Sequence, residues 1–288
     1  MRRAVRFLLR RALKAACALA PRALRPLVLR LPFSRFSESL PSLVGGREHT
    51  WWRGVRLEVD PGELEGFFRY FHPDGPDPEY DWLLRACVDA RGFVDVGANH
   101  GIYALALASV HPRLRVLAIE PDDDNVVRLQ RNLALNPALV PRVVLERAAA
   151  GAESGTGAFA RSSTINSGTG RLVHDGGVAV RVRTLEDLLR QHAIDADVIK
   201  IDVEGAEGDV LAGLGGLQPA AVAVELHPDR WPVPGAERVA HQGHLIAMLA
   251  QRRLVCRFLL DERDWADSPP VGHPWPARLH LFAARLPD

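Results

Sequence analysis

The sequence has little cysteine and almost no lysine, and both shortages restrict what the protein can be. Cys17, Cys87 and Cys256 are its only cysteines in 288 residues. They are too far apart to form a metal-ligand spacing or a redox motif. This pattern favours a reducing compartment over a disulfide framework. Lys14 and Lys200 are the only lysines and arginine supplies the other basic residues, a bias that indicates a GC-rich genome rather than an activity.

An excess of charge of either sign is also missing. Lysine and arginine number 36 against 35 acids, which gives a formal net charge of +1. This balance argues against a general polyanion binder, so we predict no nucleic-acid partner. The content of 47% hydrophobic and 25% charged residues is typical of a soluble globular protein. The length indicates one large domain, or a core with an extension.

Long hydrophobic runs are absent from the basic amino-terminal leader, residues 1–32, which contains no acid. Its basic and apolar residues fall on two helical stripes. One interpretation is a cationic helix in peripheral contact with an anionic membrane surface. The other is a solvated leader, or a helix docked on the domain. Its longest uncharged run, residues 15–21, is far shorter than the ~20 residues that span a bilayer.

The most informative motif is an apolar strand that ends in an acid and leads into a glycine turn, Val94-Asp95-Val96-Gly97-Ala98-Asn99-His100-Gly101. Glycines at such a turn let the backbone approach a ligand closely, and the apolar stretch 102–110 predicts a helix whose N-terminus offers free N–H groups. A dinucleotide fingerprint would read G-x-G-x-x-G. Asn99 and Ile102 stand at its second and third glycine positions, so that fingerprint is incomplete.

The next apolar run, residues 115–119, is closed by Glu120. A Rossmann-like unit carries its ribose-binding carboxylate at this position. The alternative is an ordinary surface acid at a strand end. The order of Asp95, the glycine turn and Glu120 favours a nucleotide-like ligand.

Five stretches resemble the FkbM family of class I methyltransferases, which use S-adenosylmethionine: VDVGANHG, AIEPDDDNVVRLQRNLALN, TLEDLL, DVIKIDVEGAEGDVLAGL and VAVELHP. The resemblance covers about residues 77–227, and IKIDVEGAE at 199–207 is its most family-specific part. It implies an α/β fold with a Rossmann-like, doubly wound, mainly parallel seven-stranded sheet. It also implies O-methylation of a hydroxyl on a small molecule, sugar, polyketide or lipid-linked glycan.

The resemblance also implies roles for the residues that match by position. Gly97, Asn99 and Gly101 form the turn around the methionine part of the cofactor, and Asp95 helps to hold that end. Glu120 takes the ribose hydroxyls. On the adenine side lie Pro121, Asp122 and Ala148. Asp202 approaches the methionine moiety and the substrate, with Glu204 beside it.

Charged residues interrupt two predicted central strands, which normally read as apolar runs. Lys200, Asp202 and Glu204 share one face by the period of two, and Glu225 and His227 share a face of the next strand. Buried charges are costly unless they are paired or used. The two interpretations are therefore a functional site and an internal ion-pair network of Lys200 with Asp202 or Glu225.

Methyl transfer to a hydroxyl needs a base to remove its proton. His227 is the first candidate, because the ordinary pKa of histidine is about 6.5. Asp202 and Glu204 are the next candidates, and His100 is a weaker one. We predict no metal, since no local ligand spacing requires one, although Asp202, Glu225 and His227 could supply ligands.

Strands and helices alternate from residue 92 onward, which is typical of a parallel α/β sheet. The strands are predicted at 93–96, 116–119, 143–147, 198–203, 221–226, 255–260 and 279–284. The helices are predicted at 79–90, 102–110, 123–135, 184–192, 206–214 and 237–251.

We predict three parts: the leader 1–32, an N-terminal extension or cap 33–76, and a methyltransferase domain 77–288. The extension is expected to contain strands at 50–53 and 54–59 and a helix at 63–70. A Gly/Ser-rich hairpin insertion at 151–183 interrupts the domain. The segments 33–76, 151–183 and 229–278 are expected to shape the acceptor pocket.

Two other functions stay open at this level. The incomplete glycine fingerprint opposes a nicotinamide-dependent oxidoreductase. A non-catalytic, membrane-associated binding or scaffold member is permitted by the leader but opposed by the intact turn and the strand-end acids. We predict a cytoplasmic enzyme, because a secretory signal ending near Ala18-Leu19-Ala20 would remove the chain from cytosolic S-adenosylmethionine. Nothing in the sequence indicates the oligomeric state.

Overall fold

The computed structural model describes residues 46–63, 69, 73–161, 167–173, 175–233, 237–260, 264–268 and 279–285. The leader 1–32 and most of the helix predicted at 63–70 lie outside these residues. The chain divides into two compact units, one of residues 1–76 with 163–168 and the other of residues 77–162 with 169–288. In the described part of the first unit, β1 (Glu48–Trp52) and β2 (Val55–Val59) form an antiparallel hairpin.

The second unit is built on a large mixed sheet. Its strands in chain order are β3 (Gly92–Val96), β4 (Arg115–Ile119), β5 (Val143–Glu146), β10 (Val198–Ile201), β11 (Ala221–Leu226), β12 (Val255–Leu260), β13 (Asp264–Ala266) and β14 (Leu279–Ala284). Their spatial order is β13-β12-β14-β11-β10-β3-β4-β5. β3, β4, β5, β10 and β11 are parallel, and β14 is antiparallel to β11 and β12.

This order confirms the predicted Rossmann-like, mainly parallel class I methyltransferase sheet. The seven predicted strands are all present, and the short β13 adds an eighth beside β12. The order reverses between β3 and β10, where the chain crosses back past its first parallel strand. Ligands of open α/β sheets bind outside the carboxyl ends of the strands at such a switch point.

The helices follow local signals in the sequence. They are α1 (Pro78–Ala86), α2 (Ile102–Val110), α3 (Asp123–Ala134), α4 (Leu185–His192), α5 (Glu207–Ala212) and α6 (Arg238–Ala250). Asp122 caps α3 by accepting from the N–H of Asp124, and Thr184 caps α4 by accepting from the N–H of Asp187. α1 ends four residues before the predicted boundary at residue 90.

The core lies on both faces of the central strands. Phe93, Ile199 and Val222 are completely buried, as expected for parallel strands covered by helices. The predicted insertion at 151–183 contains, in its described part, β7 (Gly155–Ala160), β8 (Arg171–Val173) and β9 (Val178–Arg183). With β6 (Ala149–Ala150) they form a second sheet in the order β6-β9-β7-β8. Across the described ranges, no helix is long and apolar enough to cross a membrane.

Candidate active site

The turn after β3 has the tight backbone that its glycines predict. Gly97, Asn99 and Gly101 all have positive φ, at 80°, 50° and 77°. A Cβ on Gly97 would lie 1.9 Å from the carbonyl oxygen of Asp202. The N–H of Asp202 donates to the carbonyl of Val96 at 3.0 Å. The turn is therefore in direct contact with the chain that leaves β10.

Glu120 binds the backbone of this turn. Its Oε2 accepts from the N–H of Asn99 at 2.8 Å, and its Oε1 accepts from the N–H of Asp122 at 2.8 Å. Only 4% of Glu120 is exposed. Burial raises the pKa of this carboxyl to about 7, against the lowering effect of the two backbone donors. Glu120 is therefore a buried acid at the strand end, which rules out the ordinary surface acid considered from the sequence.

The other residues predicted for the adenine side lie next to Glu120. Asp122 is buried and its side chain caps α3, while Pro121 is half-buried. Ala148 is buried just beyond β5, and its N–H donates to the carbonyl of Glu146 at 3.2 Å. The Asp122 side chain thus has a structural role, and its position beside the cofactor stays a prediction.

Asp95 is held inside the fold rather than at its surface. Its Oδ2 accepts from the N–H of Ala104, in the first turn of α2, at 3.1 Å, whereas its buried Oδ1 makes no hydrogen bond within the described part of the chain. Burial raises the pKa of Asp95 to about 6, although Lys200 lowers it. One carboxylate oxygen stabilises the helix start, and the other is left to accept from a further donor.

His100 is buried against α3. Arg128 Nη1 donates to its Nε2 at 3.2 Å, and Asn132 Nδ2 donates to its carbonyl at 2.9 Å. Burial and Arg128 lower the pKa of His100 to about 3. These contacts give His100 a structural role.

Lys200 forms the ion pair that the sequence offered as a structural alternative. Its Nζ is 3.2 Å from Asp202 Oδ2 and 5.0 Å from the centre of the Tyr103 ring. Burial lowers the pKa of Lys200, but the charges of Asp202, Glu79 and other nearby carboxylates outweigh burial. The net result is a pKa well above the ordinary value, so the ammonium stays charged. This ion pair involves Oδ2 of Asp202, and Oδ1 of the same carboxylate lies on the side of His227.

The strand predicted at 198–203 ends earlier, at Ile201. Glu204 has φ 58° and so lies in a turn rather than on a strand face. The predicted period-two arrangement of Lys200, Asp202 and Glu204 is therefore wrong at Glu204. The turn nevertheless brings Glu204 to the same cluster, where its Oε2 is 3.2 Å from His227 Nε2 and contacts Arg230.

His227 lies at the centre of an acid cluster at the ends of β10 and β11. Asp202 Oδ1 and Glu225 Oε1 are 4.0 and 3.9 Å from its Nε2. Burial lowers the pKa of His227, but the hydrogen bond with Glu207 and the charges of Asp202 and other acids raise it to about 9. Burial raises the pKa of Glu204 to about 7 and also raises that of Glu225. The predicted neighbourhood of Asp202, Glu204, Glu225 and His227 is thus observed.

Glu207 was not predicted to belong to this cluster. It is fully buried in the first turn of α5, and its Oε1 is 2.8 Å from His227 Nδ1. Glu79 and His280 were also missed. His280 pairs with Glu225 across β14 and β11, and its Nδ1 is 3.7 Å from Glu79 Oε1. A signal for Glu207 was present, because a second acid closes the motif VEGAE, but the sequence did not show which way its side chain points.

Among the residues that the structure describes, two groups of side chains have the donor chemistry of a metal site. Asp202, Glu204 and His227 form one group, and Glu79, Glu225 and His280 form the other, each with ligand atoms within 4.8 Å of one another. Cationic side chains already contact these acids, namely Lys200 at Asp202 and Arg230 at Glu204. A reaction without a metal stays our prediction.

Comparison with known proteins identifies a protein family that this sequence matches. The family model described as "Methyltransferase FkbM domain" matches residues 95–253. The chain is 30% identical over 156 residues to "Methyltransferase sdnD" of Sordaria araneosa, a match covering 42% of the chain and 59% of that relative. It is 30% identical over 136 residues to "Hexuronic acid methyltransferase AglP" of Haloferax volcanii, covering 46% and 54%. The chain thus spans between half and two thirds of these relatives.

Solved structures are similar at lower identity. The FkbM methyltransferase of Methylobacillus flagellatus is 18% identical, with a TM-score of 0.46 over 75% of this chain and 52% of that one. A precorrin-6y C5,15-methyltransferase of Geobacter metallireducens is 11% identical, with a TM-score of 0.38 over 71% and 86%.

Proposed function

The chain belongs to the methyltransferase FkbM family, and we propose that it is an O-methyltransferase that uses S-adenosylmethionine. The proposed acceptor is a hydroxyl of a small molecule, sugar, polyketide or lipid-linked glycan. The relative named as a hexuronic acid methyltransferase supports a sugar among these acceptors. The observation that carries the proposal is the contact between the cofactor turn and the acid–histidine cluster, through Gly97 and Asp202.

The residues of the turn fit a nucleoside with a cationic amino-acid tail. Ribose hydroxyls are donors, and a carboxylate with two oxygens can accept from them in addition to the two backbone N–H groups that Glu120 already binds. The unbonded Oδ1 of Asp95 offers a further acceptor. Gly97, Asn99 and Gly101 would hold the methionine part, with Pro121, Asp122 and Ala148 on the adenine side.

When bound, S-adenosylmethionine supplies a methyl group on a sulfonium, and the sulfur leaves as a neutral thioether. The chain must align the acceptor oxygen with that methyl group and accept the hydroxyl proton. We assign proton acceptance to His227 Nε2, with Asp202 and Glu204 as the alternative bases. Their clustering supports this assignment, because perturbed titratable groups concentrate where chemistry occurs.

Isothermal titration with S-adenosylmethionine and S-adenosylhomocysteine tests the cofactor. We expect micromolar binding by the wild-type chain and about 30-fold weaker binding by Glu120→Ala, since a lost hydrogen bond to a charged group costs about 2 kcal/mol. Asp124→Asn is the matched control, because this exposed acid lies on α3, four residues after Glu120 in the sequence. A folded wild-type chain that binds neither compound would overturn the proposal.

A further inference from the structure

His227 has carboxylates on both sides of its ring, but the two sides differ. On the Nδ1 side there is one partner, Glu207 Oε1, at 2.8 Å. On the Nε2 side the acids Glu204, Glu225 and Asp202 lie at 3.2, 3.9 and 4.0 Å. The short contact is therefore at Nδ1, and the looser, partly exposed group is at Nε2.

Glu207 is held so firmly that it can fix the ring. It is fully buried, and its Oε1 also accepts from the N–H of Gly205 at 2.9 Å. Its Oε2 accepts from Trp231 Nε1 at 2.8 Å. Trp231 is itself buried, with 3% of its surface exposed. The Glu207 carboxylate thus has a donor on each oxygen besides His227.

The chemistry of these partners decides where the proton of His227 sits. An ionised carboxylate only accepts hydrogen bonds, so Nδ1 must carry a proton to bind Glu207. A neutral imidazole has one proton, and Nε2 is then the nitrogen that can accept. The ring cannot take the opposite tautomer without turning Nδ1 into an acceptor against a buried carboxylate.

We propose that Glu207 is a positioning residue that keeps the proton of neutral His227 on Nδ1 and directs Nε2 toward the acceptor hydroxyl. This inference rests on the proposed function, in which His227 Nε2 takes the acceptor proton. Glu207 touches neither cofactor nor acceptor in this role and acts through His227. The arrangement of a buried acid that orients a histidine is a general device for proton transfer.

The hydrogen bond also affects when His227 is neutral. Burial lowers the pKa of His227, and Glu207, Asp202 and Glu204 raise it to about 9. The imidazole is therefore mainly charged below that pH and neutral above it. Removing the charge of Glu207 should lower the pKa. Other titratable or charged groups also lie near this pair. Glu225 is 3.9 Å from His227 Nε2, Arg230 contacts Glu204, and the His241 ring of α6 lies 4.7 Å from the Trp231 ring. Burial lowers the pKa of His241.

Nitrogen NMR of the full-length chain, labelled with ¹⁵N-histidine and without ligand, tests the proposal. Above pH 9 we expect the His227 signals of an Nδ1–H tautomer in the wild type. In Glu207→Gln we expect a mixture of tautomers and a pKa lower by about one unit or more. Trp231→Phe is the control, because it removes another donor to Glu207 and leaves the bond to His227 in place.

A wild-type His227 with its proton on Nε2 overturns the proposal without any variant, which keeps the test decisive even where Glu207→Gln does not fold. Equal shifts in Glu207→Gln and Trp231→Phe would also overturn it, because they would reduce Glu207 to a packing role. Calorimetry with S-adenosylmethionine tests the cofactor separately, so failure of the proposed function and failure of this inference are distinguishable.

Discussion

Single residues in this site are acids and bases whose ordinary behaviour is changed by burial. Glu120 is the clearest example, since burial raises the pKa of this carboxyl to about 7 while two backbone N–H groups favour its ionised form. Glu79 shows the opposite result. Burial raises its pKa, but Lys200 and His280 outweigh burial and lower it to about 2. The same residue type thus titrates near neutrality in one place and far below it in another.

The raised pKa of Glu120 predicts a pH dependence of cofactor binding. In the proposed complex the ribose hydroxyls donate to the ionised carboxylate, which is the minor form below pH 7 and the major form above it. Binding of S-adenosylhomocysteine should therefore be about tenfold weaker at pH 6 than at pH 8. Calorimetry at both pH values measures the ratio. Glu120→Gln should remove this dependence, and an equal ratio in wild type and variant would contradict the prediction.

Among the elements, the turn between β3 and α2 is the most restricted. Gly97 combines a positive φ of 80° with a backbone oxygen 1.9 Å from any added Cβ. The movement of a flexible side chain cannot relieve either the backbone strain or the clash, because the atom that a Cβ would meet belongs to the main chain of Asp202. The contact makes the turn and the acid cluster one structural element.

Gly97→Ala should therefore destabilise the protein by about 2–4 kcal/mol, from backbone strain and from separation of the two chains. Urea denaturation followed by circular dichroism measures the loss. Gly155→Ala is the matched control, because no atom of the described residues, apart from its chain neighbours, lies within 4 Å of a Cβ at that position in β7. It should change stability by less than about 0.5 kcal/mol. Equal effects of the two substitutions would refute the argument.

At the scale of the whole unit, one buried ammonium joins acids from several elements. Lys200 on β10 is 2% exposed, and its charge is stabilised by Asp202, Glu79, Asp95 and Glu225. These acids come from α1, from β3, from β11 and from the chain after β10. Lys200 thus balances charges that the sequence keeps far apart.

Lys200→Met should cost about 3–5 kcal/mol of unfolding free energy, because it leaves buried carboxylates uncompensated. Chemical denaturation at pH 7 measures it, and adding Asp202→Asn to the variant should recover part of the loss. Arg190→Met is the comparison, since Arg190 is 70% exposed in its pairs with Glu186 and Asp187 and should cost only about 0–1 kcal/mol. A loss below about 1 kcal/mol for Lys200→Met would disprove the central role of its charge.

The sequence by itself determined the parts of this protein that depend on local order along the chain. The alternation of strands and helices, the turn from Gly97 to Gly101 and the acid at Glu120 are readable because each depends on neighbours within about two turns or one strand. The strands 221–226, 255–260 and 279–284 were predicted with their observed bounds.

Only the tertiary structure decided which distant side chains meet. Glu207 contacts His227, and Glu79 lies beside His280, across separations in sequence that carry no periodic signal. Glu204 was likewise predicted to lie on a strand face, but its left-handed backbone conformation places it in a turn. The physical reason is that burial, charge and hydrogen bonding at a sheet edge depend on the packing of several elements at once, and these interactions fix which nitrogen of His227 carries its proton.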